Sequence, residues 1–411
     1  MTKTTKYSNI RQLLIPYLAA FLLFLNMMPY FWWWTQSVKW VQYLIFSLYC
    51  VIFGLHFSLT NKKEFGLVLL FIIIVIVYSL NSTIYSIALN VPLLFIPFSQ
   101  KTFTRNVYHA FCNIYCFFIG LGMISYFLIL MGVFAPIRTI SPLNAYNFDY
   151  YTIYPLFLAN SNYFDFADIF RFAGPFDEPG MVGTFSALML FVNSFNLKDW
   201  KTYIFIISGI LSFSLFFFLI ITVEILSVLL RKNGIGLVIL LALVVGFSIF
   251  YNKTKEDKKF QTLIWNRLEW NTDKNALEGF DRTMYDAEVF YKSKMWTREY
   301  WWGLDDYESY RRISRGSNSY QNVIMQYGMT YLMLYVLFFI LYAWHGHKNK
   351  LSFIIFIIVF IACIYQRPQI LSLAYIFMFT CLARNEYFGL TSSNHKEENE
   401  RILHLSNDSY L

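Results

Sequence analysis

The chain has 411 residues, of which 57% are hydrophobic, 21% aromatic and only 14% charged. A soluble domain carries about a quarter charged residues, so this composition excludes an ordinary water-soluble fold. The net charge of +8 comes mainly from short loops between apolar runs and gives no indication of a nucleic-acid partner.

The N-terminal "MTKTTKYSNIRQLLIPYLAAFLLFLNMMPYFWWW" is basic and then apolar, with no small-residue cleavage site, and reads as a retained first span. Further spans are predicted near 39–59, 65–81, 84–98, 108–134, 180–195, 235–250, 320–343, 351–365 and 369–383, after a first near 13–34. Runs such as "VKWVQYLIFSLYCVIFGLHFSL" approach or reach the roughly 20 residues that cross a hydrocarbon core. Tryptophans at 32–34, 40, 200 and 344 mark span ends, where an amphipathic ring prefers the headgroup level. Cys50, Cys112, Cys116, Cys363 and Cys381 lie inside apolar runs and imply no disulfide or metal framework. Cys112 and Cys116, one helical turn apart, read as a packed helix face.

The stretch from Tyr203 to Leu230 decides the topology. As one helix it is overlong and places the largest charged loop inside. A turn at "SGILSFS" gives two short spans instead. Lys3, Lys6, Arg11, "NKKE", "SQKTFTR", "NLKDWK", "RKNG" and "HGHKNK" then all become cytoplasmic, as the positive-inside rule requires. The expectation is an all-α polytopic membrane protein of about 12 transmembrane helices with both termini cytoplasmic. Residues 1–390 form one transmembrane domain, with long outer loops over about 136–178 and 251–318. Residues 391–411 form a polar cytoplasmic tail.

Long loops in compact proteins call for a reason. The second carries thirteen basic and twelve acidic side chains between Lys253 and Arg315. Within it, "KKFQTLIWNRLEW" places Phe260, Leu263, Ile264 and Leu268 on one helical face, suited to lying on lipid headgroups. The segment "DRTMYDAEVFYKSKMWTREYWWG" has helical length and ends in aromatics before Gly303. Arginines among aromatics suit a sugar phosphate, because rings stack on sugar C–H faces and guanidinium forks bind phosphate oxygens.

The first loop closes on "DIFRFAGPFDEPG". Pro179 and Gly180 fit a helix start, which leaves two readings of Arg171, Asp177 and Glu178. They are either helix-terminal charges with Arg171 as ion-pair partner, or an ionisable site at the outer edge of a bundle.

"RFAGPFDEPGMVGT" resembles the Arg-x-x-Gly-x-x-x-Glu-Pro segment of the O-antigen polymerase (Wzy) and O-antigen ligase superfamily. "SGILSFSLFFFL" resembles the short hairpin that follows it there. "WWGLDDY", "SNSYQNVIMQYGMTYLMLYVLFF" and "YQRPQI" resemble its distal loop end and later spans, in consistent order. The resemblance implies a GT-C-like polymerase/ligase architecture in a bacterial inner membrane. It implies inverting transfer of a polyprenyl (undecaprenyl) diphosphate-linked glycan donor to a lipid-linked acceptor, without metal or cofactor. A chain-length regulator and membrane lipids are the further partners.

Matched by position, Arg171, Glu178, Arg282 and Arg315 are the catalytic candidates. Asp177, Arg298, Trp302, Asn318 and Arg367 are the substrate-binding ones. Many relatives carry His-Asn where this chain has Ser317-Asn318, so a histidine base is missing, which weighs against the ligase branch. A flippase or transporter is the remaining alternative. The two long loops and the scarcity of ionisable residues within spans weigh against it. Glu224, inside a span, is the residue a proton-coupled transporter would use.

Overall fold

A computed structural model of the chain describes residues 3–28, 39–59, 62–80, 93, 95–140, 151–161, 171–176, 178–231, 245–246, 248–272, 276–277, 285–314, 320–347, 349–366 and 371–384. Helices dominate: α1 (Lys3–Asn26), α2 (Lys39–Leu55), α3 (Lys62–Leu80), α4 (Lys101–Leu130), α5 (Pro179–Val192), α6 (Trp200–Leu211) and α7 (Leu215–Arg231). After the second long loop begins come α8 (Tyr285–Lys294), α9 (Arg298–Trp302), α10 (Tyr307–Ser314), α11 (Tyr320–Tyr327), α12 (Met329–Gly346), α13 (Lys350–Gln366) and α14 (Leu373–Ala383).

By length and composition α4 and α12 can cross a membrane, and several other helices carry shorter apolar stretches. Their outward faces carry the same signal. Met333, Leu337, Leu341 and Trp344 run down α12 as an exposed apolar stripe, and Ile354, Ile358 and Ile361 down α13. A helix facing water puts polar residues on that face, so these surfaces suit lipid. The predicted spans near 84–98 and 235–250 fall largely outside the described residues.

Two helices form the centre. Every residue of α5 and of α14 is buried, as expected for helices that are apolar all round. Aromatic rings fill the space around them: Phe111 meets Phe377, Phe185 meets Tyr375 at 4.9 Å, and Phe360 meets Phe379 edge-on at 4.9 Å. Tyrosine hydroxyls fix α4 against α5. Tyr108 donates to the Asn193 side chain at 3.0 Å, and Tyr115 donates to the Val182 carbonyl at 3.1 Å. Ser186 and Ser208 extend this link to α6 at 3.0 Å.

The structure corrects the sequence expectation in four places. First, the loops are not free of strands. β1 (Arg138–Ile140), β2 (Tyr151–Tyr154) and β3 (Leu158–Ser161) form an antiparallel sheet in the first long loop, with Arg138 opposite Ile153 and Thr152 opposite Asn160. "RTI" and "YTIY" are β-branched and aromatic, and they pair where no helix competes. β4 (Trp270–Asn271) and β5 (Ala276–Leu277) form a second, shorter ladder.

Second, the predicted span over 320–343 is broken into α11 and α12. Gly328 adopts φ +89° there, and an added Cβ would overlap the Trp301 carbonyl oxygen. Third, residues 258–268 are not one α-helical face, because Gln261–Trp265 is a π-helical turn between two single turns of α-helix. The extra residue per turn rotates later side chains off the predicted face. The aromatic segment after residue 285 is likewise two helices, α8 and α9, parted at Trp296 with φ +68°.

At one end of the bundle the polypeptide closes on Arg384. Its Nη1 donates to the Ser99 carbonyl at 3.1 Å and its Nη2 to the Pro97 carbonyl at 2.7 Å. The guanidinium lies 5.1 Å from the Tyr342 ring centroid, and the Tyr342 hydroxyl donates to the same Pro97 oxygen.

Candidate functional site

The predicted break between two short helices is present. α6 ends at Leu211, α7 begins at Leu215, and Phe213 takes φ +47° between them. A helix end releases carbonyl oxygens that must find donors if buried. Here the account closes completely from Ser208 to Ser214. Backbone amides of Ser212, Phe213 and Phe218 reach the carbonyls of Ser208, Ile210 and Ser214. The Ser212 hydroxyl donates to Gly209 at 2.6 Å.

The remaining three carbonyls take their donors from the polar segment in front of α5. The Phe172 amide donates to Leu211 at 3.1 Å. Arg171 then donates twice to Ser212, from Nε at 3.0 Å and Nη2 at 2.9 Å, and once to Phe213, from Nη2 at 3.1 Å. Arg171 is only 3% exposed. The planar fork spans two adjacent oxygens, which an ammonium cannot do in the same geometry.

Small residues permit this docking. An added Cβ at Gly183 of α5 would overlap Ser214 at the hairpin tip, and one added at Gly122 of α4 would come within 3.4 Å of the Gly174 backbone. Gly174 itself adopts φ +57°, and its carbonyl accepts from the Ala159 amide of β3 at 2.9 Å. Phe172 packs edge-on against Tyr126, and Phe176 stacks on Tyr115. The segment 171–176 is therefore a plug between α4, β3 and the hairpin.

Glu178 takes the N-cap position of α5 with extended dihedrals, and Pro179 fills the first turn as the sequence suggested. Its carboxylate makes no capping hydrogen bond. Arg171 and Glu178 thus share one loop end, with Arg171 beneath the tip and Glu178 half-buried beside it.

Arg298 and Trp302 lie on α9, both exposed. The Gly303 amide caps this short helix by donating to Glu299 at 2.8 Å, and the next amide, of Leu304, ties it to α11 by donating to Met325 at 2.7 Å. Asp177, Arg282, Arg315, Asn318 and Arg367 lie outside the described residues.

Sequence reasoning singled out the aromatic segment before Gly303 but not Tyr310, which belongs to the same layer around α8–α11. Tyr291 packs on Tyr300 at 6.1 Å and on Tyr320 at 6.3 Å, while Tyr310 packs on Phe290 at 5.4 Å. Burial, and after it the neighbouring hydroxyls of Tyr307 and Tyr320, push the Tyr310 phenol well above its usual range. It stays protonated at physiological pH. The sequence signal for it was the recurrence of tyrosine at positions 291, 300, 307 and 310. Among the described residues no group of three His, Cys, Asp or Glu could hold a metal ion.

In comparisons with known proteins, no family model, no curated protein and no solved structure matches this chain.

Proposed function

We propose that this chain polymerises polyprenyl diphosphate-linked oligosaccharide repeat units into O-antigen, capsule or exopolysaccharide at the outer face of a bacterial inner membrane. In this reading the bundle has about twelve spans with both termini cytoplasmic, and the loops 136–178 and 251–318 face outward. The observation that carries it is the union of the two most family-like segments. "RFAGPFDEPG" and "SGILSFS" stand 41 positions apart from Arg171 to Ser212, and their backbones and side chains are joined by four hydrogen bonds.

The reaction is an inverting glycosyl transfer. An acceptor sugar hydroxyl attacks the donor's anomeric carbon, the bond to the diphosphate breaks, and the hydroxyl proton passes to a base. Positive charge must meet the leaving diphosphate. Arg171 holds the hairpin tip and contributes fixed charge beneath it, while Arg282, Arg315 and Arg367 supply the guanidinium forks that grip phosphate oxygens. Glu178, half-buried beside that end, is the proposed base. Asp177, Arg298, Trp302 and Asn318 contact the glycan.

Deletion of the gene followed by glycan profiling tests the proposal. Surface glycan reduced to a single capped repeat is the expected result. Long chains accumulating unattached would reassign the chain as a ligase, and an unchanged profile would overturn both.

A further inference from the structure

Three buried polar groups near the α10–α11 contact have no hydrogen-bond partner. They are the Tyr310 hydroxyl on α10 and the side-chain oxygens of Gln321 and Asn322 in the first turn of α11. Tyr310 is fully buried, and Gln321 and Asn322 are 8% and 6% exposed. The two helices pack directly on one another. Buried polar atoms are almost always paired; among the described residues the Tyr49 and Ser125 hydroxyls are also unmatched, each on a helix of its own, whereas here two packed helices carry three such groups. Two consecutive orphan acceptors and an orphan phenol therefore call for a donor from outside the chain.

The surroundings narrow its chemistry. Tyr320, next to Gln321, stacks on Tyr365 at 5.8 Å, and Tyr307 lies 6.1 Å from Tyr310. Rings offer faces to aliphatic C–H groups, and amide oxygens require a proton donor. A fully ionised phosphate or carboxylate brings none, whereas a sugar brings hydroxyls and C–H faces together. The oxygens are covered in the free protein, so binding requires a side chain to move. Tyr320, half-buried at the start of α11, is placed to do so.

We propose that Tyr310, Gln321 and Asn322 form a subsite that receives the hydroxyl groups of a neutral sugar. That this sugar belongs to a lipid-linked repeat unit rests on the proposed function; the binding chemistry does not. The competing occupant is ordered water.

The test uses the full-length protein in lipid nanodiscs, with methyl glycosides of glucose, galactose and N-acetylglucosamine as probes and inorganic phosphate as control. Saturation-transfer NMR should detect at least one glycoside on the wild type and no competition by phosphate. The double variant Gln321→Leu/Asn322→Leu should weaken that binding about tenfold or more, while its melting temperature stays level or rises because two orphan acceptors are gone. Should the double variant fold poorly, Tyr310→Phe, which removes one hydroxyl, decides by the same loss of signal. Wild-type binding retained in both variants means that water fills the site, and absence of any glycoside signal, or displacement by phosphate, also overturns the subsite. If gene deletion leaves surface glycan unchanged while glycoside binding behaves as expected, the polymerase reading fails and the subsite stands.

Discussion

Arg171 and Arg384 perform the same task at opposite ends of α4. Each is buried, and each turns its guanidinium on backbone carbonyl oxygens that no helix can satisfy: Ser212 and Phe213 for one, Pro97 and Ser99 for the other. Arg171 belongs to a segment packed on Tyr126 near the C-terminal end of α4, and Arg384 reaches Ser99 just before its N-terminal end. The stretch of α4 between these two contacts, from its start beside Ser99 to Tyr126, is roughly 40 Å long at 1.5 Å per residue. The comparison teaches that a buried arginine in this chain is first a device for closing backbone, and that a role in chemistry has to be demonstrated beyond it. Arg171 lies within the proposed active end and Arg384 does not.

The sharpest test therefore substitutes both. Arg171→Ala leaves the Ser212 and Phe213 oxygens short of donors, and Arg384→Ala strips the Ser99 oxygen of its guanidinium donor and leaves Pro97 with the Tyr342 hydroxyl alone. At about 1–3 kcal/mol for each orphaned group, either variant should lose several kcal/mol, read as lower membrane abundance and a melting temperature in detergent well below wild type. Glycan profiles at matched abundance then separate the two. Arg171→Ala should still lack long chains, whereas Arg384→Ala should regain them once expression is raised. Normal polymer from Arg171→Ala would reduce its segment to a structural plug.

Next in size is Gly183→Ala. The new methyl overlaps Ser214, so the hairpin tip must shift, at a cost of about 1–3 kcal/mol. Ser214→Gly in the same chain should restore much of that loss, as a double-mutant cycle in thermal melts would show. Additive losses would mean that the contact is not what constrains the tip.

Glu178→Gln sharpens the comparison from the other side. Glutamine keeps the shape of the side chain and most of its hydrogen-bonding capacity, so the melting temperature should fall less than for Arg171→Ala while long-chain glycan is lost at matched abundance. Equal losses of folding and polymer would make Glu178 structural.

Tyr342→Phe keeps the ring beneath Arg384 but removes the hydroxyl bond to Pro97, a loss of about 1 kcal/mol. The smallest effect belongs to Lys292→Ala. It breaks a 2.7 Å pair with Glu288 on the exposed side of α8, and a clear shift in melting temperature would be unexpected for a surface pair that solvent screens.

The two arginines also differ in how visible they were. Arg171 stood out because a polar cluster interrupted apolar sequence, and its neighbours Pro179 and Gly180 marked a helix start that the structure contains. Arg384 follows the predicted span 369–383 as a single basic residue, and it was given no role from the sequence. Its partner carbonyl belongs to a residue 285 positions earlier, and no local pattern encodes that contact. Tyr310, Gln321 and Asn322 were hidden for a similar reason, since an amide at a helix start normally reads as solvated.

By itself the sequence determined the apolar helical character of the chain, the turn between α6 and α7, and the start of α5. These follow from composition, loop charge and proline chemistry, all of which act over a few residues. The tertiary structure alone decided that Arg171 faces carbonyl oxygens, that Gly328 divides a predicted span, that strands form in the first long loop, and that polar side chains are orphaned beneath tyrosines. Each of these depends on which distant groups come within about 3–4 Å, where hydrogen bonds and steric overlap act.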